Sequence, residues 1–185
     1  MIEELLKETD SKMQKTLSIL THELATIRTG RATPGLVEHI KVEYHGVSTP
    51  VNQIASISTP DAKMIVIQPW DRTSARDIEK AILKSDLGLN PTNDGNVIRI
   101  AIPPLTEERR KDLIKAIHKR LEETKVILRN IRRDAIDKLR KAEKNKEISE
   151  DQFNRSTDQF QKLIDGHIEK VNQVGKDKET EILEV

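Results

Sequence analysis

The chain runs to 185 residues, 34% of them charged and 2% aromatic, with no cysteine. That length suits one ordinary domain or two small ones, and the missing thiols exclude disulfides, thiolate metal sites and cysteine nucleophiles. No apolar run approaches the roughly 20 residues of a membrane span, and the acidic start Met1-Ile2-Glu3-Glu4 lacks the form of a secretory signal, so a soluble cytoplasmic protein is expected.

With so few aromatics the core must be aliphatic, which suits a helix bundle. Residues 2–29 are predicted as a first helix, seamed by Leu6, Met13, Leu17, Leu20, Leu24 and Ile27 at spacings of mostly three and four, with Gly30 as its left-handed C-cap. The texture then changes. Val37, Ile40, Val42 and Tyr44 read as a short strand followed by a His45-Gly46 turn. Ile54, Ile57 and Met64 to Ile67 suggest further strands. A short amphipathic helix is predicted over 74–85, with Thr73 or Ser74 as N-cap. Gly88 and residues 93–96 mark loops, and Val97, Ile98, Ile100 and Ile102 form a last strand that ends at Pro103-Pro104.

Thr106 is placed to cap a new helix whose first turn carries Glu107 and Glu108, favourably for the helix dipole. No Gly or Pro follows until Gly166. Leu113, Ile117, Leu121, Thr124, Leu128, Ile131, Ala135, Leu139 and Ala142 form a seam near period 3.5. Ser149-Glu150-Asp151-Gln152 matches a capping box opening a third helix, seamed by Phe153, Phe160, Leu163, His167, Val171 and Val174. One long helix cannot bury its own seam, whereas three can. The expected organisation is therefore α+β: an antiparallel three-helix bundle from residues 1–29 and 105–185, with a small β/α/β domain inserted at 31–103. Two neighbouring crossings near 29–31 and 103–105 would join them and permit hinging.

The net charge of +1 hides an asymmetry: residues 105–146 hold 15 basic and 8 acidic groups, residues 147–185 only 5 and 10. Lys111, Lys115, His118, Lys125, Arg129, Arg132 and Arg133 recur at helical spacing, and Arg140 and Lys144 extend the row. This fits a grip on phosphates, or simply a solvated helix face; the lack of aromatic platforms favours backbone contact over base reading. The five histidines have no metal-binding spacing, since His118 and Glu122 lack a third ligand. Leu87-Gly88-Leu89-Asn90-Pro91 lacks the lysine and hydroxyl of a phosphate loop. No cofactor, metal or catalytic residue is expected. A helical adaptor displaying apolar surface and a nucleotide-dependent enzyme are the competing readings.

Four segments resemble the ribosome recycling factor family: Arg28-Thr29-Gly30-Arg31-Ala32, Asp86 to Pro91, Pro103-Pro104-Leu105-Thr106-Glu107-Glu108-Arg109-Arg110-Lys111, and Arg129-Asn130-Ile131-Arg132-Arg133-Asp134. Lys146 to Asp151 resembles that family's turn between its last two helices. The resemblance spans essentially the whole chain. It implies an L-shaped, monomeric, cofactor-free translation factor rather than an enzyme. It implies binding to large-subunit ribosomal RNA after termination, and splitting of the ribosome with elongation factor G and GTP. RNA contact falls on Arg129, Arg132 and Arg133, with Lys125 and Arg110. The hinge falls on Arg28, Thr29, Gly30, Arg31, Pro103, Pro104 and Leu105.

Overall fold

A computed structural model describes residues 1–184. The chain forms two compact units, Met1–Arg28 with Glu107–Glu184, and Thr29–Thr106. The first consists of three helices, α1 (Ile2–Ala25), α3 (Glu107–Lys144) and α4 (Glu150–Leu183). The second holds β1 (Lys41–Tyr44), β2 (Val47–Pro50), β3 (Ala55–Asp61), β4 (Met64–Pro69), α2 (Ala75–Lys84), β5 (Pro91–Asn93) and β6 (Ile98–Ala101). No described helix is long and apolar enough to cross a membrane.

In the helical unit α3, at 38 residues, extends about 57 Å. Its buried line is Ile117, Leu121, Thr124, Leu128, Ala135, Leu139 and Ala142, with Leu113 and Ile131 half-buried. The α4 line is Ser156, Phe160, Ile164, His167, Val171, Gly175 and Ile182. Three buried polar residues are satisfied within their own helices: the Thr9 hydroxyl donates to the Leu5 carbonyl at 2.7 Å, Thr124 to the Arg120 carbonyl at 2.9 Å and Ser156 to the Gln152 carbonyl at 2.7 Å. Such back-bonding lets a polar residue occupy a seam position. At the head of α4 the capping box forms in full. Ser149 Oγ accepts from Gln152 N at 3.2 Å, and Ser149 N donates to Gln152 Oε1 at 2.9 Å. Cross-helix charges add register: Arg120 of α3 bonds Glu23 of α1 and holds that carboxyl below its ordinary value. Buried His167 of α4 meets Asp10 of α1 at 2.7 Å.

In the small unit the four-stranded antiparallel sheet has the order β3-β4-β6-β5. Ile65 pairs with Ile100 and Ile67 with Ile98 across the central strands, and all four are fully buried, cross-strand aliphatic pairs of the kind that stabilise a ladder. Ile78 and Ile82 of α2 join the same core. Pro60 and Pro91 lie in the two edge strands, where a missing N–H costs no central hydrogen bond.

Several local expectations are corrected. The first helix stops at Ala25, short of residue 29. Thr26 Oγ1 donates to the Glu23 carbonyl at 2.6 Å, and Thr26 and Ile27 N–H bond three residues back, tightening the last turn. Gly30 is left-handed, at φ +76°, yet stands beyond the cap, which is Thr26. The first strand is only Lys41–Tyr44, because Pro34 starts a 3-10 turn over Pro34–Leu36. Its two-residue turn has both His45 (φ 49°) and Gly46 (φ 78°) left-handed, the twist a tight hairpin needs. At α2 neither Thr73 nor Ser74 caps through its side chain. Asp71 instead caps the preceding 3-10 turn Arg72–Ser74, accepting from Thr73 Oγ1 at 2.7 Å and Thr73 N at 2.9 Å, which lowers its pKa. Residues 91–93, predicted in a loop region, form the short edge strand β5.

Candidate nucleic-acid interface

An α-helix advances 100° per residue, so the basic row of α3 stands roughly a third of a turn from its apolar seam and can stay wet while the seam packs. The row proves to be two different surfaces. Towards the start of α3, Lys111 is paired with Glu107 at 3.2 Å, and Lys125 with Glu122 at 3.1 Å. His118 meets Glu179 of α4. Lys125, its side chain only 16% exposed, lines an open hollow of about 440 Å³ together with Glu122 and Glu179. Carboxylates thus offset charge along this stretch.

Further along, the balance changes. Arg129, Asn130, Arg132, Arg133, Ile136, Asp137 and Arg140 line a second open hollow, also of about 440 Å³. Its one acid, Asp137, is taken by Arg140 at 3.2 Å. Arg129 and Arg133 are exposed and four residues apart, so they stand one above the other on the helix. Neither makes an ion pair or hydrogen bond among the described residues.

Arg132 sits differently. It is half-buried; its Nη1 donates to Gln161 Oε1 on α4. Gln161 Nε2 in turn donates to Asp165 Oδ1 at 2.9 Å. The Arg132 Nε is buried with no partner. A guanidinium has five donors in a rigid fork; one is tethered to α4, the Nε–H is buried, and the other Nη donors are not engaged by the described residues. Arg129, Arg132 and Arg133 thus surround one concavity whose lining carboxylate is paired with Arg140, a set of donors whose geometry suits phosphate oxygens. Arg110 lies 19 residues before Arg129, about 28 Å away along α3, and belongs to neither hollow. Gln161 was absent from the sequence-level candidates, since no periodicity within α3 points to a partner on α4; the Gln161-x-x-x-Asp165 pair was the only trace of it.

The residues at the two crossings are also close. Thr29 and Gly30 are buried, Leu105 is half-buried, and Arg28, Arg31, Pro103 and Pro104 are exposed. A Cβ on Gly30 would lie 3.0 Å from Leu105 Cγ and 3.4 Å from Leu105 N. The β3–β4 turn holds both strands of chain: Ala32 N donates to the Ala62 carbonyl and Ile102 N to the Lys63 carbonyl, each at 2.7 Å. Among the described residues no three histidine or carboxylate side chains converge as a metal site.

Comparison with known proteins gives one consistent result. The family described as ribosome recycling factor matches residues 20–183. The ribosome-recycling factor of Dehalococcoides mccartyi (strain ATCC BAA-2266 / KCTC 15142 / 195) is 57% identical over 185 residues, 100% of both chains. That of Bacillus subtilis is 56% identical over the same span, again 100% of both. A solution structure of the ribosome recycling factor superposes with a TM-score of 0.75 at 44% identity, covering 100% of this chain and 98% of that one. A second structure is described as models for the T. thermophilus ribosome recycling factor and the E. coli elongation factor G bound to the E. coli post-termination complex. It matches with a TM-score of 0.63 at 51% identity, covering 99% of each chain.

Proposed function

The chain belongs to the ribosome recycling factor family, and from that premise we propose that it binds the post-termination ribosome and, with elongation factor G and GTP, promotes its dissociation into subunits. The observation that carries this reading is the hollow lined by Arg129, Arg132 and Arg133, whose guanidinium charge has no free carboxylate beside it. In this reading the helical unit grips large-subunit ribosomal RNA by its backbone, and Gln161 holds Arg132 in the docking orientation. The relative described together with elongation factor G on a post-termination complex supports the same pairing here. The protein acts in the cytoplasm, as a monomer, without a cofactor. It catalyses nothing itself; GTP hydrolysis belongs to the partner.

The crossings supply the moving part. Gly30 gives one of them conformations closed to other residues, while Pro103 and Pro104 stiffen the other. RNA holds the helical unit while the partner displaces the small one, and the work reaches the subunit interface.

The test is sedimentation of purified post-termination ribosomes incubated with elongation factor G and GTP, with and without the chain. Whole ribosomes should convert to free subunits only when the chain is present, and Arg132→Ala should lose most of that conversion. Ribosomes that stay whole with the wild-type chain present would reject the reading.

A further inference from the structure

The small unit carries a second basic row that the α3 arginines leave unexplained. Arg72, in the 3-10 turn leading into α2, is followed by Arg76, Lys80 and Lys84, all exposed. Four residues are 400° of helix, so each step drifts only 40° and the four cations stay within about a third of the circumference. Like charges four apart destabilise a helix, so this spacing works against the fold. None of the four forms an ion pair or hydrogen bond among the described residues.

Two of the neighbouring acids are engaged elsewhere. Asp71 accepts from Thr73 and from Tyr44 Oη at 3.4 Å. Glu79 is half-buried and accepts from Asn93 Nδ2 at 3.2 Å. Asp77 borders the row, and Asp86 and Glu43 lie across an adjoining open groove that Lys80 and Lys84 also line. The row runs roughly 18 Å: Arg72 and Arg76, ahead of that groove, have no carboxylate partner among the described residues, while Lys80 and Lys84 share the groove with Asp77, Asp86 and Glu43.

The only tryptophan of the chain stands at its leading end. Trp70 is 69% exposed, although its apolar area ordinarily favours burial. Asp71 is extended, at φ −109° and ψ 114°. Its carboxylate is taken by Thr73 and Tyr44, and Trp70 and Arg72 on either side of it are exposed. Leu83, 56% exposed, sits near the far end of the row, so the two apolar groups flank the charge and form no continuous patch. A protein interface would concentrate apolar groups at its centre and deplete charge there. A row of cations with an aromatic plane at one end is instead the arrangement that follows a nucleic-acid backbone and stacks on a base.

We propose that the outer face of α2, led by Trp70, is a second RNA-contact surface, in which Arg72, Arg76, Lys80 and Lys84 track phosphates while Trp70 stacks on an unpaired base. It lies on the small unit, apart from the α3 hollow, and it rests on the ribosome-binding reading above for the source of the RNA.

The experiment measures binding of the whole chain to purified post-termination ribosomes as a function of potassium chloride concentration. Replacing all four cations by glutamine should lower the log–log salt slope by about 2 to 4, and lower affinity by about tenfold or more at physiological salt. The variant should melt no lower than wild type, since like-charge repulsion is relieved. Asp77→Asn should tighten binding, and Trp70→Ala should weaken it about fivefold or more without changing the slope. Because the chain has no cysteine, Arg76→Cys can carry a single photo-cross-linker, which should label ribosomal RNA. An unchanged slope in the four-glutamine variant, or labelling confined to protein, overturns the proposal while leaving the α3 reading intact. A wild-type chain that does not bind ribosomes at all overturns both.

Discussion

Gly175 offers a sharp test of how the long helices pack. It is buried in α4, where Gly→Ala would ordinarily gain about 0.8–1.0 kcal/mol in helix propensity. Here a Cβ would run into Leu121 Cδ1 of α3, with Leu121 Cδ2 at 3.1 Å and Cγ at 3.2 Å. Rotating χ2 of Leu121 only exchanges one methyl for the other, so the side chain must leave its place near the seam. Leu121 is 8% exposed, and re-exposing a leucine costs about 1.5–3 kcal/mol. Overpacking of this kind typically costs about 1–3 kcal/mol. The difference predicts that Gly175→Ala destabilises the helical unit by about 1 kcal/mol, measured by urea denaturation followed through helical ellipticity. Leu121→Ala alone should cost about 2–5 kcal/mol. The double variant should cost less than the sum by about 1 kcal/mol, because the methyl added at position 175 refills the vacated volume. A Gly175→Ala protein more stable than wild type, with additive single effects, would refute the close α3–α4 approach.

Arg129→Ala and Arg132→Ala should each reduce the salt slope of ribosome binding by about 1. Gln161→Ala, which keeps the charge and removes only the tether, should weaken binding with the slope unchanged; an equal slope change in all three would deny Gln161 an orienting role. Ser149→Ala should cost about 1 kcal/mol by loss of the α4 cap, read from the same urea curves, and a silent substitution would mean the cap is not limiting. Asp94 is held down to about 2, first by the Val97 N–H, then by the Asn96 N–H and Arg99. Its folded pKa lies below its unfolded one, so its contribution is complete above about pH 4 and lost as pH falls through 2; an NMR titration of this carboxyl at its ordinary value would contradict the turn geometry. A disulfide engineered between the two units should leave ribosome binding intact and abolish splitting, whereas splitting at the normal rate would favour a rigid wedge.

Much of the helical unit was legible because its seam repeats over many turns. Ile117, Leu121, Leu128 and Leu139 are buried, and the Ser149 box forms as its pattern implies. The α4 seam was legible only in part. Apolar periodicity notices Phe160 and Val171 but passes over Ser156, Gly175 and Ile164, although these complete the buried line. A hydroxyl that bonds its own helix and a glycine that admits a neighbour carry no hydrophobic signal. Strand positions in the small unit were found from their isoleucines, while β5, with Pro91-Thr92-Asn93, is a strand only because β6 pairs with it. At the candidate site the arginines were visible as a row. The partners of His118 and Arg132 were not, because Glu179 and Gln161 arrive from α4, 61 and 29 residues away.

The insertion of the small unit between α1 and its two helical partners also governs how the chain can fold during its own synthesis. Glu23 waits 97 residues for Arg120, and Asp10 waits 157 for His167. At about 5–20 residues per second, α1 emerges many seconds before anything can cover Met13, Leu20 and Leu24. Residues 29–106, whose contacts are local to that segment, can close first on the growing chain. The helical unit assembles last, when the most distant pieces of sequence meet. An early stop in translation would therefore release a finished small unit trailing a bare amphipathic helix, a ready substrate for chaperones and proteases.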